Sequence, residues 1–194
     1  HVVKSPSWVK TVAIDLLTDV ERLAIKHIVE RDSPQNGATK KGLEAYGYGA
    51  GRQVLLDQMR DICAELDQLT AVGINVVLLA HSEVTKFANP SGADYAIHNI
   101  KALDHKDASV SSYVFGWADE VGFMHFDDGA GMRGGKGATK GITGGNRVIE
   151  FDHSATWKAK ARLPLPRQVK VGSANPWQFM KEAIHKAYSM TPAE

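Results

Sequence analysis

The sequence predicts an α/β layer fold with a mainly parallel sheet. Three observations carry that reading. Apolar or β-branched runs end on a polar residue at TVAID (residues 11–15) and at NVVLLAH (75–81). A long amphipathic helix stands between them, with Leu55, Met59, Ile62, Leu66 and Leu69 along one stripe. Strand patterns then keep alternating with helical ones, the order that builds layered α/β sheets.

Each element has its own signal. Residues 11–15 read as a buried strand, and Leu16, Val20, Leu23 and His27 follow at helical spacing. Residues 31–51 are polar and glycine-rich, a loop with a short central element. The helix over 52–72 has a stop at Gly73. NVVLLAH is apolar without alternation, which is the pattern of a strand buried on both faces. Residues 84–105 read as a polar loop, 107–118 as a helix and VGFMHF (121–126) as a third strand. Residues 129–145 hold eight glycines in seventeen positions and read as a flexible hairpin tip. RVIEF (147–151) is a fourth strand and a hairpin partner for 121–126. A basic segment over 156–166 ends in LPLP, and an amphipathic helix covers roughly 177–189. No internal repeat and no second domain stand out, so residues 1–194 read as one domain.

Composition sets the bounds. The 194 residues can bury a real core, and 43% apolar with 23% charged residues is a globular balance. With 23 basic and 22 acidic residues, net charge neither implies nor excludes nucleic acid; only a local patch decides that. The single Cys63 has no internal disulfide partner, so a reducing, cytoplasmic setting is expected. No apolar run approaches the ~20 residues that span a bilayer, and no signal peptide is visible. The chain begins with His1 rather than Met, as a processed chain or a fragment of a longer reading frame would.

Four stretches carry possible chemistry. Asp15 closes a buried strand, where parallel sheets place their ligands; a carboxylate there suits Mg²⁺ held through water, while the plain alternative is a helix N-cap. His81 closes the next strand in the same way, so it can meet a phosphate or an attacking water, or else simply bond a loop. The glycine tract fails the phosphate-loop test: GxxxxGK[ST] would need Gly at Ala130 and Ser or Thr at Gly137. Its Arg133, Lys136 and Lys140 either meet a nucleic-acid backbone or are solvated. Lys158, Lys160 and Arg162 alternate, so on an extended segment they point one way with no evident acidic partner in sequence. They either guard an edge strand or contact a phosphate, such as that of a nucleotide held by a neighbouring subunit.

The ordered set VAIDLLTDVERL, YGYGAG before the long helix, NVVLLAHSEV, WADEVGF, and then AKAR with LPLP resembles a known family. It resembles the bacteriophage RecA-like ATP-binding proteins of the AAA type, which include single-strand-annealing and recombinase ATPases, over about residues 8 to 185. The resemblance implies a RecA-like P-loop NTPase core with a C-terminal β-hairpin, and ATP and Mg²⁺ as cofactors. TVAID resembles the Walker B strand, with Asp15 on the Mg²⁺ side. LLAH resembles the strand whose last polar residue senses the γ-phosphate, here His81. Lys160 and Arg162 resemble the Lys-x-Arg finger that reaches the nucleotide of an adjacent protomer. The implied setting is the host cytoplasm, with single-stranded DNA and further copies of the chain as partners and no membrane. The departure is the missing Walker A strand, loop and helix, which resembles truncation by roughly 60 residues, two β-α units of about 30 each. As given, the chain is then expected to be nearly inactive. Two other readings stand beside this one: a helicase or motor on the same core, and a non-catalytic DNA-binding scaffold that never had a phosphate loop.

Overall fold

A computed structural model describes residues 8–32, 42–132, 139–163 and 165–171, and six helical positions between 178 and 189. The backbone contacts divide the chain into two units, His1–Val84 with Asn99–Trp117, and Thr85–His98 with Ala118–Glu194.

The first unit grows from two short β-rich runs. Strand β1 (Thr11–Ile14) pairs in parallel with β2 (Asn75–Leu78), Thr11 opposite Asn75 and Ile14 opposite Leu78. A parallel pair needs a long crossover. Here it is made by helix α1 (Leu17–Arg31), a 3₁₀ turn (Leu43–Tyr46) and helix α2 (Ala50–Ala71). Helix α2 ends where the stripe ends, and Gly73 at φ 78° takes the left-handed turn that side chains disfavour. The 3₁₀ turn lies so close on α2 that a Cβ at Gly51 would fall 2.3 Å from the Leu43 carbonyl oxygen. That contact accounts for a glycine in the YGYGAG run.

The core of this unit is Leu17, Ala24 and Ile28 of α1, Leu55, Leu56 and Met59 of α2, and Ala108, Val110 and Val114. The last two belong to helix α3 (Val110–Trp117). The buried face of α1 therefore differs from the expected one. Leu23 is 55% exposed, and Leu17, Ala24 and Ile28 turn inward instead. The helix starts at Leu17, so the face that meets α2 is set one position later than the spacing from Leu16 implies. Tyr46 holds the 3₁₀ turn to the end of α1, its hydroxyl 2.6 Å from Asp32 Oδ2; burial first, and then that carboxylate, push its pKa up to about 12. Burial likewise pushes the Cys63 thiol up to about 11, so at neutral pH it stays a packed, unreactive thiol.

Residues 84–105 are not a loop. They hold most of β3 (Ser82–Phe87), all of β4 (Tyr95–Ile100), and β5 (Asp104–His105), which pairs antiparallel with β6 (Ala108–Ser109). The polar residues that suggested a loop alternate with Val84, Tyr95 and Ile97, which is also how a half-exposed strand reads.

In the second unit, β8 (Phe123–Met132) and β9 (Thr139–Glu150) form the expected hairpin, Phe123 opposite Glu150 and Phe126 opposite Arg147. Strand β11 (Gln168–Val171) adds antiparallel to β9. The glycine tract is strand at 129–132 and 139–145 rather than one loop, and 133–138 lie outside the described residues. Ladder hydrogen bonds need only the backbone, so glycines can extend a hairpin that their missing side chains cannot pack. Strand β7 (Glu120–Val121) pairs antiparallel with β10 (Lys160–Ala161).

The expectation of a mainly parallel sheet is corrected by these registers. Among the described strands, β1–β2 is the parallel pair, and β5–β6, β7–β10, β8–β9 and β9–β11 are antiparallel. The apolar runs do form strands, although β1 stops at Ile14 and β2 at Leu78, short of the expected ends at Asp15 and His81; periodicity does not say which neighbour a strand takes. Among the described residues, no helix is long and apolar enough to cross a membrane.

Candidate functional site

The β1–β2 register puts Asp15 and His81 beyond the same end of the parallel pair, in the segments that follow β1 and β2 rather than within the strands. Ile14 faces Leu78, Asp15 follows directly, and His81 comes three residues after Leu78. The bonding continues past the strand ends. Leu79 N–H donates to the Ile14 carbonyl at 2.9 Å, and Leu17 N–H donates to the Leu79 carbonyl at 2.8 Å. Both side chains are exposed, and the Asp15–Leu16 peptide is cis. The N-terminus of α1 opens at the same edge, but its N–H groups are largely taken: Leu17 N–H bonds Leu79, and the Asp19 and Val20 N–H groups donate to the Leu16 carbonyl at 3.0 and 3.2 Å. Asp15 is not the N-cap of α1; that position is Leu16, which makes no side-chain cap bond.

Sequence reading missed what supports this edge. Thr18 Oγ1 donates to the Lys101 carbonyl at 3.3 Å. Both carboxylate oxygens of Glu21 accept the Leu103 N–H, at 3.1 and 3.2 Å. Lys101 N–H in turn donates to the His81 carbonyl at 2.8 Å. An open cavity of about 380 Å³ lies here, lined by Thr18, Glu21, Arg22, Ile25, Glu83 and Lys101 among others. Burial raises the Glu21 carboxyl above its ordinary value, the Leu103 N–H opposes this, and the Glu83 charge adds to the rise. The available signal was the three-residue spacing of Thr18 and Glu21, which sets two polar groups on one face of the helix after Asp15.

Lys160 and Arg162 stand in the second unit. Lys160 is opposite Val121 in the β7–β10 pair. Burial, and then the Arg162 charge, hold the Lys160 ammonium below its ordinary pKa; Asp119 and Glu120 pull it back up. Arg162 is not without an acidic neighbour. Its guanidinium pairs with Asp119, and Glu120 Oε1 accepts the Arg162 and Leu163 N–H groups at 3.2 and 3.0 Å. The antiparallel register created these contacts across more than forty positions of sequence. Of the expected DNA contacts, Arg133 and Lys136 lie outside the described residues. Lys140 is opposite Gly131 in the hairpin, and its side chain lies outside the description.

A family model described as an AAA domain matches residues 4–163. The chain belongs to this family. The AAA domain is a nucleotide-binding, ATPase-like unit of the P-loop NTPase α/β type, and it usually binds Mg²⁺ with its nucleotide. No curated protein and no solved structure matches the chain.

The residues present fit that ligand in part. Among the described residues, no group of three His, Cys, Asp or Glu side chains is arranged to hold a metal directly. One exposed carboxylate at a strand edge instead suits Mg²⁺, which keeps several of its waters. For the phosphates, the sequence contains no GxxxxGK[ST] run. The sequence in hand therefore offers an exposed carboxylate that suits Mg²⁺ and no phosphate-loop run.

Proposed function

We propose that the native protein is a RecA-like phage ATPase that acts on single-stranded DNA in recombination or annealing, as a homo-oligomer in the host cytoplasm. The supporting observation is that Asp15 and His81 both follow the carboxyl end of the β1–β2 pair in a chain of the AAA domain family. Asp15 would hold Mg²⁺ through water, and a bound Mg²⁺ supplies charge neutralisation on the phosphates. His81, in the segment that follows the neighbouring strand, donates a hydrogen bond toward the γ-phosphate or the attacking water. Lys160 and Arg162 stabilise charge on the transferred phosphoryl group in the site of an adjacent subunit, which requires Arg162 to exchange Asp119 for phosphate. Arg133, Lys136 and Lys140 contact the DNA backbone, a term that weakens with salt.

The test is ATP turnover by the native protein with and without single-stranded oligonucleotides, beside Asp15→Asn. DNA-stimulated hydrolysis that Asp15→Asn abolishes is the expected result. No hydrolysis by the unaltered protein sinks the ATPase reading. Hydrolysis indifferent to DNA leaves an ATPase and removes the recombination role.

A further inference from the structure

We infer that Glu21 is a positioning residue that sets the place of His81 through the Lys101–Leu103 segment. The inference rests on the proposed role of His81. Three bonds within the first unit carry it. Glu21 grips the Leu103 N–H with both carboxylate oxygens, at 3.1 and 3.2 Å. Thr18, one helical turn earlier, holds the Lys101 carbonyl at 3.3 Å. Lys101 N–H then reaches the His81 carbonyl at 2.8 Å. Helix α1 starts two residues after Asp15, so the helix launched from the proposed metal-side carboxylate also fixes the backbone beside His81.

The cost of this arrangement argues that it is more than packing. Glu21 is half-buried beside the cavity, its carboxyl is raised mainly by desolvation, and Glu83 repels it. Arg22 and Lys101 also line that cavity, Arg22 on the same helix and Lys101 on the gripped segment. A neutral side chain would avoid the desolvation and the repulsion. The carboxylate has two oxygens to hold one N–H in place, and a charged acceptor makes the stronger bond. Leu103 is also a node. Its carbonyl accepts the Val110 and Ser111 N–H groups that open α3, at 2.8 and 3.2 Å. The gripped segment is thus tied on one side to α3 and on the other to His81.

The experiment compares Glu21→Ala, Glu21→Asp and Glu21→Gln in the native protein by two readouts. One is amide hydrogen exchange at Lys101 and Leu103; the other is kcat against KM for ATP. Glu21→Ala is expected to speed exchange at both amides about tenfold and to lower kcat about tenfold with KM nearly unchanged. That is about 1.4 kcal/mol in the transition state alone. Glu21→Asp, one methylene short, should behave like the alanine variant, and Glu21→Gln, which keeps the reach and one neutral acceptor, should recover both in part. Should Glu21→Ala not fold, the aspartate and glutamine pair carries the same contrast. Unchanged exchange, or faster exchange with unchanged kcat, overturns the proposal. If the unaltered protein hydrolyses no ATP, the reading of His81 has failed, and exchange alone then decides whether Glu21 grips the segment.

Discussion

The two units hold their cores together by different means. In the first, nine apolar side chains from α1, α2, α3 and β6 close on one another, and polar groups gather at the sheet edge that carries Asp15 and His81. In the second, a stack of rings lies on a sheet that also buries a carboxyl group. Phe123 and Trp157 are parallel within 10° with centroids 5.5 Å apart, and His125 packs on both at 5.4 and 5.2 Å. Glu150 is 4% exposed, accepts from Gln168 Nε2 at 2.5 Å and lies 3.6 Å from His125 Nε2. A helical layer can bury an apolar stripe because its backbone bonds stay within each helix. A twisted hairpin must find side-chain partners for whatever its faces trap. The difference teaches where chemistry can be moved cheaply. In the first unit the proposed site lies at the exposed end of an apolar frame, whereas in the second polar groups are part of the frame.

The widest test joins the proposed roles of both units. Arg162→Ala protein, from the second, is mixed with Asp15→Asn protein, from the first, each expected to be inactive alone. Trans-acting arginines contribute about 10³–10⁵ in turnover, so mixed oligomers should regain hydrolysis in proportion to interfaces that pair an intact site with an intact finger. If native gels show mixed oligomers and no ratio restores activity, Arg162 works within its own subunit or serves only its pair with Asp119.

Next in size is the apolar frame. Leu55→Ala removes a side chain with 0% exposure and should cost about 2–5 kcal/mol, read by urea unfolding. Trp157→Ala in the second unit should cost less than the about 3–5 kcal/mol of a fully buried tryptophan, because Trp157 is only half-buried. Equal losses would erase the contrast drawn here.

Smaller still is the Asp119 pair. Both partners are well exposed, so Asp119→Asn should change stability by less than about 1 kcal/mol. On the proposed function it should leave ATP turnover unchanged or raise it, since the finger is released. A large loss of turnover would mean that Asp119 holds Arg162 in its working position.

The smallest effect is a pH dependence at Glu21. Its pKa is raised in the folded state, so as pH climbs the unfolded chain ionises first. The stability contribution of Glu21 therefore falls as pH rises through its ordinary value and levels off above the folded one. Partial exposure should keep this below about 1 kcal/mol. Thermal unfolding of Glu21→Gln should match the unaltered protein more closely at pH 4 than at pH 7, where the variant should be the more stable. The reverse order would mean that the charged bond to Leu103 outweighs desolvation.

The sequence by itself determined that β1, α1, α2 and β2 follow one another in the first unit, though not where β1 and β2 end. TVAID and NVVLLAH each stop at a polar residue, and the Leu55–Leu69 stripe can bury only as a helix, because its 3.6-residue period is local chemistry. That was enough to single out Asp15 and His81, and the β-hairpin of the second unit was legible in the same way. Only tertiary structure decided the pairings. The β7–β10 pairing, the addition of β11 to β9, the strands within 84–105 and the inward turn of Leu17, Ala24 and Ile28 depend on neighbours distant in sequence. The same is true of Asp119 beside Arg162 and of Glu21 on the Leu103 amide, contacts across 43 and 82 positions. Periodicity records which face of an element seeks cover; it carries no record of what will cover it, because that choice is made when the elements pack.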